Sequence, residues 1–314
     1  MNNNFFHGYN CFSAALGEYA KQKNKEEINK IILSQLTFMF SKELFWANSW
    51  FGGSTLLPVD NFIKQDLERF ANITITEDSS TDGQAIEQTK KSIEKNGFQI
   101  ILVDFYYIKS VNWDILKRYN ILPEHDAHFI IITSIDERQA GIIDPYYNYQ
   151  GTISIDDLNI ARGSKTRQGV VNYNSYEINL DNVKSFDLRE VIKFRFERFL
   201  NEKMYYLVEQ VGVEIDRKRL IEGKNQNRIW SLSGYNCLRS SLDQYSNLKK
   251  IKEMYEINMP DGLNELENQW ALIRKKLIEF YHHRLNELEE VSYLLLKTAQ
   301  LEKSYANKVL NTVL

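Results

Sequence analysis

The chain contains only two thiols, Cys11 and Cys237, and the same residues, Gly-Tyr-Asn, lead into both. A thiol becomes a useful nucleophile when its surroundings favour the thiolate and a base stands beside it. Cys11 lies where the loop "FFHGYN" gives way to the amphipathic stretch "CFSAALGEYAKQ". The first turn of a helix offers unpaired amide N–H groups and the positive end of the helix dipole, and both favour negative charge. The same amides supply part of an oxyanion hole. Further along, His128 heads the apolar run "HFIIITSID" and Asp144 closes "AGIID" just before Pro145. A hairpin with its turn signal near 137–139 brings the start of the first run beside the end of the second, and 128 is expected opposite 144, a pairing that centres the turn on 136. Cysteine, histidine and aspartate in that order are a nucleophile, a base and a group that orients the base, as in papain-like enzymes.

The other candidates are weaker on position. His125, in "PEHDAHF", is the main competitor as base, but it falls in the loop before the strand and its orientation is less fixed. His7 precedes Cys11 by four residues and either assists or packs. His282 and His283 fall on a charged helix and read as surface. Cys237 also precedes a helical stretch, "CLRSSLDQY", yet neither a strand carrying histidine nor an Asp-Pro pair follows it. It is expected to be structural, with Gly and Asn recurring because both suit a turn into a helix. Neither cysteine has a Cys or His partner at metal-ligand spacing, so no metal is expected. Two thiols so far apart do not make a disulfide framework.

The elements that must hold these residues follow from periodicity. Phe12, Ala15, Leu16 and Tyr19 share one helical face, and "EEINKIILSQLTFMF" continues with a second. "WANSWFGGSTLLPVD" reads as a loop, with Pro58 opening the helix "PVDNFIKQDLERFA". "ITIT" at 73–76 is a short strand, and "GQAIEQTKKSIEKNG" is a helix that Gly97 stops. "FQIILVDFYY", "HFIIITSID" and "AGIIDP" read as buried strands, the last ended by a residue that cannot donate to a ladder. Ser154 caps a helix over "SIDDLNIARGS", and "NSYEINL" is a final strand. Beyond about residue 185 the periodicity is helical throughout, with "MPDGLNE" marking a helix start. The expected fold is α+β: a papain-like domain over 1–184, with its N-terminal helix packed on an antiparallel sheet, then an all-helical region over 185–314.

At 314 residues the chain is long enough to bury a sizeable core. A formal net charge of -3, without a basic block, argues against nucleic-acid binding. Neither a signal peptide nor a stretch of membrane-spanning length is legible, so a cytoplasmic protein with reduced thiols is expected.

The segments "GYNCFSAAL", "SWFGGS", "HFIIITSID…GIIDPYY" and "ISIDDLNIARGS" together resemble the butirosin biosynthesis protein H N-terminal family over roughly residues 5–165. That family is similar to papain-like cysteine peptidases. The resemblance implies acyl transfer in antibiotic assembly: an acyl or peptidyl group passes from a carrier-protein thioester to a small amine acceptor, as in nonribosomal peptide pathways. Cys11, His128 and Asp144 match the family's catalytic positions. Papain-like peptidases usually place an oxyanion-donating glutamine before the cysteine, and none stands here; Asn10, or less readily Asn4, substitutes together with the Cys11 amide. Trp50 and Tyr146, from the aromatic loops, are the expected substrate-binding residues. No bound cofactor is expected, because the substrate arrives on the phosphopantetheine arm of a carrier and amide formation from a thioester runs downhill. No P-loop "GxxxxGK[ST]" is present. The alternative is a peptidase, amidase or thioesterase with water as acceptor; a third reading is an interaction protein with a degenerate domain.

Overall fold

The apolar runs form one sheet. The computed structural model of the chain describes residues 4–41, 51–53, 57–118, 123, 125–166, 169–221, 231–232, 234–285 and 287–312. Its first helix is α1 (Cys11–Gln22), followed by β1 (Thr74–Asp78), α2 (Asp82–Asn96) and β2 (Gln99–Asp104). Next come β3 (Ala127–Ile135), β4 (Gln139–Asp144), β5 (Tyr149–Ser154), α3 (Ile155–Gly163) and β6 (Ser175–Asn179). Six strands pair in the order β1-β6-β2-β3-β4-β5, and every pairing is antiparallel.

Strands β2 and β3 are apolar without alternation because both of their faces are covered. Ile101, Val103, Ile130 and Ile132 pack with Leu158 and Ala161 of α3, while Ile86 and Ile93 of α2 lie against the same cluster. The alternate residues Ile100, Leu102, Phe129 and Ile131 are buried as well. On their side Phe12 of α1 meets Phe129 with ring centroids 4.7 Å apart, and Tyr176 of β6 meets both rings edge-on at 5.8 and 5.2 Å. Such aromatic pairs contribute roughly 0.5–1.5 kcal/mol each beyond the area they bury. They fix α1 on the sheet through the residues next to Cys11 and His128.

The chain divides into two compact units. The first is built from Met1–Asn29 and Leu67–Lys184, and the second takes in Lys30–Leu44, Asn48–Asp66 and Ser185–Leu314. The border after Lys184 falls where the sequence changes to helical texture. The earlier residues of the second unit were expected with the first, and their side chains explain the difference. Leu36 and Phe38 belong to the helical core, where Phe38 stacks on Trp270 at 5.9 Å. That core is built on α4 (Leu188–Asn201), α5 (Met204–Ile221), α6 (Arg239–Met254), α7 (Leu263–Tyr281) and α8 (Glu289–Asn311). Buried Asp66 binds two buried guanidinium groups in the same unit, Arg195 at 3.1 Å and Arg198 at 2.8 Å.

Local expectations changed in three places. The helix expected through "QLTFMF" stops at Leu33, and Met39–Ser41 is a strand paired with Phe51–Gly53, part of the expected loop. The strand over 98–107 ends at Asp104, where the Asp104 side chain caps a 3₁₀ turn over Phe105–Tyr107. Strand β5 was not expected at all; it pairs along the whole of β4. Among the described residues no helix is long and apolar enough to cross a membrane.

Candidate active site

The loop before α1 is tied back along the helix it leads into. The Phe6 amide donates to Glu18 Oε2 at 2.9 Å, and the Phe6 ring lies over Gly17, where a side chain would collide with it. Gly8 crosses the first turn so closely that a Cβ would overlap the Ala14 nitrogen and the Ser13 hydroxyl. Asn10 is the N-cap. Its Oδ1 accepts the Ser13 amide at 2.8 Å, and the Ser13 hydroxyl accepts the Asn10 amide at 3.0 Å, a reciprocal capping box. Cys11 is therefore the first residue of a helix whose entry is fixed from both sides.

The β3–β4 register carries the other two residues. Ile131 pairs with Ile143 and Ile132 with Ile142, ahead of a bulge between Ile132 and Ser134. Continuing that register sets Asp144 opposite Ile130, two residues further than expected from sequence. His128 and Asp144 are thus diagonal neighbours on one face, within reach of their side chains. His128 Nε2 lies 2.8 Å from Asp144 Oδ2. A carboxylate only accepts, so Nε2 carries the proton and Nδ1 is the nitrogen left for another partner. The Cys11 sulfur stands close enough to His128 to raise the imidazole's pKa. Asp144 is wholly buried, and its second oxygen accepts the Tyr147 amide at 3.3 Å, so the turn after β4 fixes the carboxylate.

Burial pushes the His128 pKa down, but the Asp144 carboxylate and then the Cys11 sulfur outweigh it and raise it from 6.5 to about 10. At neutral pH the imidazole therefore holds its proton. Aromatic rings surround it: Phe105 at 6.0 Å, Tyr146 at 6.1 Å and Tyr147 at 5.4 Å between centroids.

Of the residues expected in the site, Cys11, His128 and Asp144 lie together and Tyr146 faces the imidazole. Asn10 sits beneath the first turn as its cap, with its Oδ1 engaged there. Trp50 lies outside the described residues. His125 pairs with a different carboxylate, its Nδ1 lying 2.6 Å from Asp104 Oδ2. Cys237 has a different setting from Cys11 despite the shared residues. Residues 234–237 are already helical, and the Cys237 carbonyl accepts the Ser240 hydroxyl at 2.8 Å. Phe105 was missed, while Tyr147 was expected with Tyr146 as part of an aromatic-lined site. Tyr147 follows Tyr146 in the same turn, and Phe105 follows Asp104 as Pro145 follows Asp144; position just past a strand end was the available signal.

Among known proteins, no family model matches the chain and no curated protein matches it significantly.

Proposed function

We propose that this chain is a thiol-dependent acyl or peptidyl transferase, an amide ligase with a papain-like catalytic domain. Its donor is a thioester on the phosphopantetheine arm of a carrier protein, its acceptor is a small amine, and its setting is natural-product assembly. The observation that carries the reading is the Cys11–His128–Asp144 cluster, with the thiol at a capped helix N-terminus and an imidazole that is hydrogen-bonded to Asp144 and feels the Cys11 sulfur.

The chemistry follows from the charges. The Cys11 thiolate attacks the thioester carbonyl carbon, and the carbonyl oxygen takes up the electron pair facing the Cys11 amide. The carbon–sulfur bond to the carrier breaks, and the departing sulfur takes the proton from His128. Acylation removes the negative charge from Cys11, so one of the two anions that raised the His128 pKa is gone. The imidazole then holds its proton less tightly and becomes a fitting base for the second step. An amine attacks the acyl-enzyme, His128 takes a proton from the attacking nitrogen, and Cys11 leaves as thiolate beside a restored imidazolium. Asp144 holds Nε2–H throughout, which keeps Nδ1 aimed at the reaction.

Cys11 is partly exposed, which also admits water and favours a hydrolase as the second reading. Intact-mass kinetics separate the two. The protein is loaded from a panel of acyl carrier proteins, and the adduct's decay is followed with and without added amines. Amine-dependent discharge supports the transferase; discharge indifferent to every amine leaves the hydrolase.

A further inference from the structure

The first unit contains a second buried carboxylate that holds an imidazole, built like the first. Asp104 ends β2 as Asp144 ends β4, and these strands flank β3 on either side. Both carboxylates are wholly buried. One oxygen of each accepts a backbone amide from the following turn, Tyr106 at 3.1 Å for Asp104 and Tyr147 at 3.3 Å for Asp144. The other holds a histidine at the head of β3: His125 at 2.6 Å and His128 at 2.8 Å. Two differences give the second pair its own capacity. His125 uses Nδ1, so its Nε2 is the nitrogen that accepts, and its side chain is 47% exposed, so solvent species reach it. Tyr106 stacks on its ring at 4.3 Å and fixes the plane. A chain of aromatic contacts, His128–Phe105–Trp113–Tyr106–His125, links the two imidazoles.

From this arrangement, and resting on the acyl-transfer reading above, we infer that His125, held by Asp104, is a second catalytic base that deprotonates an ammonium acceptor before it attacks. Proton stoichiometry gives such a group a task. A primary amine reaches the site from neutral solution as R–NH₃⁺ and must lose two protons to become the amide nitrogen. His128 takes one, which restores the imidazolium facing the Cys11 thiolate. The other must go elsewhere. His125 Nε2 takes it first, leaving R–NH₂ with a free electron pair. That pair forms the C–N bond as the carbonyl π pair moves to oxygen. The intermediate then collapses with loss of the C–S bond, its remaining surplus proton passing to His128. His125, being exposed, returns its proton to solvent. Water needs only one base for its attack, so this second pair distinguishes cationic amine acceptors from water.

The test uses acetyl-Cys11 formed from the N-acetylcysteamine thioester of acetate, with two acceptors at pH 7: methylamine, which is protonated there, and semicarbazide, which is not. In His125→Gln the methylamine-to-semicarbazide rate ratio is expected to fall by roughly tenfold or more, as loss of a positioned base demands. Raising the pH, which supplies free methylamine, should close the gap. An unchanged ratio, with amines still preferred to water, overturns the second base and leaves the transferase reading standing. If both acceptors fail to outcompete water even in the wild-type protein, the transferase reading falls and this inference falls with it.

Discussion

Replacing Asp144 by asparagine keeps the side chain's shape and removes its charge, and the surrounding hydrogen bonds set the cost. Both carboxylate oxygens are occupied, Oδ1 by the Tyr147 amide and Oδ2 by His128 Nε2–H. Asparagine has one oxygen for two donors. If the oxygen keeps the Tyr147 amide, the side-chain NH₂ faces Nε2 as a donor, so Nε2 cannot keep its proton and the imidazolium that should give up a proton from Nδ1 loses its support. If the amide flips, its NH₂ meets the Tyr147 N–H and a buried donor goes unmet, costing about 1–3 kcal/mol of stability. The charge itself counts for more. Two unit charges about 3 Å apart interact by roughly 6 kcal/mol at an effective dielectric of about 20. With about 1.4 kcal/mol per factor of ten, that bounds the loss near four orders of magnitude, and the equivalent change in a serine-protease triad costs about 10⁴. We expect the rate of Cys11 acylation by a small thioester, read in stopped flow, to fall by about 10³–10⁴. Iodoacetamide labelling of Cys11 at pH 6 should slow in parallel. Acylation within about threefold of wild type, in a folded protein, would refute the argument, since tautomer and charge leave no such margin.

Two further outcomes test the scaffold. Gly8→Ala forces a Cβ into the Ser13–Ala14 backbone and opens the capping box. It should lower stability by about 1–2 kcal/mol and slow Cys11 labelling, measured by thermal melting and iodoacetamide kinetics; a neutral result would mean the loop has slack. In the helical unit, buried Glu302 accepts the Tyr245 hydroxyl at 2.9 Å and the Trp270 indole N–H at 3.0 Å through Oε1. Burial raises its pKa from 4.5 to about 8, overriding the two hydrogen bonds that lower it. The folded state therefore binds this proton more tightly than the unfolded one. The resulting stability is complete below the unfolded pKa and drains away as pH rises towards 8, a loss on the order of 4 kcal/mol. Glu302→Gln keeps the acceptor and removes the titration. It should melt higher than wild type at pH 8 and flatten the slope between pH 5 and 8; an unchanged slope would remove Glu302 as its source.

The legible parts of the fold were those set by local chemistry. Gly97 ends α2 with φ 82°, Ser154 caps α3 through the Asp157 amide, and the apolar runs became central strands. Cys11, His128 and Asp144 were legible for the same reason, each marking the end of an element. The register was less so. The hairpin closes on Ile135 and Ala140, further along than a 128–144 pairing requires, and the bulge between Ile132 and Ser134, which no composition signal marks, shifts the register back by only one residue. Strand β5 was hidden because Gly151 and its polar neighbours lack strand composition; β4 supplies the pairing that makes "YQGTIS" extended. The transfer of Leu36 and Phe38 to the helical unit depends on Trp270, far along the chain, and no local pattern encodes such a contact. Asp104 offered the same signal as Asp144, a carboxylate closing an apolar strand, but its histidine lies in the loop and not in the strand.

The central claim is that Cys11, and not Cys237, carries an acyl group. The most direct measurement is peptide mapping of the protein after brief exposure to an acyl carrier thioester, in the wild type and in Cys11→Ala and Cys237→Ala. The account predicts one acyl adduct on the peptide containing Cys11, retained in Cys237→Ala, absent in Cys11→Ala and released by amines. An adduct on the Cys237 peptide that survives Cys11→Ala would contradict it.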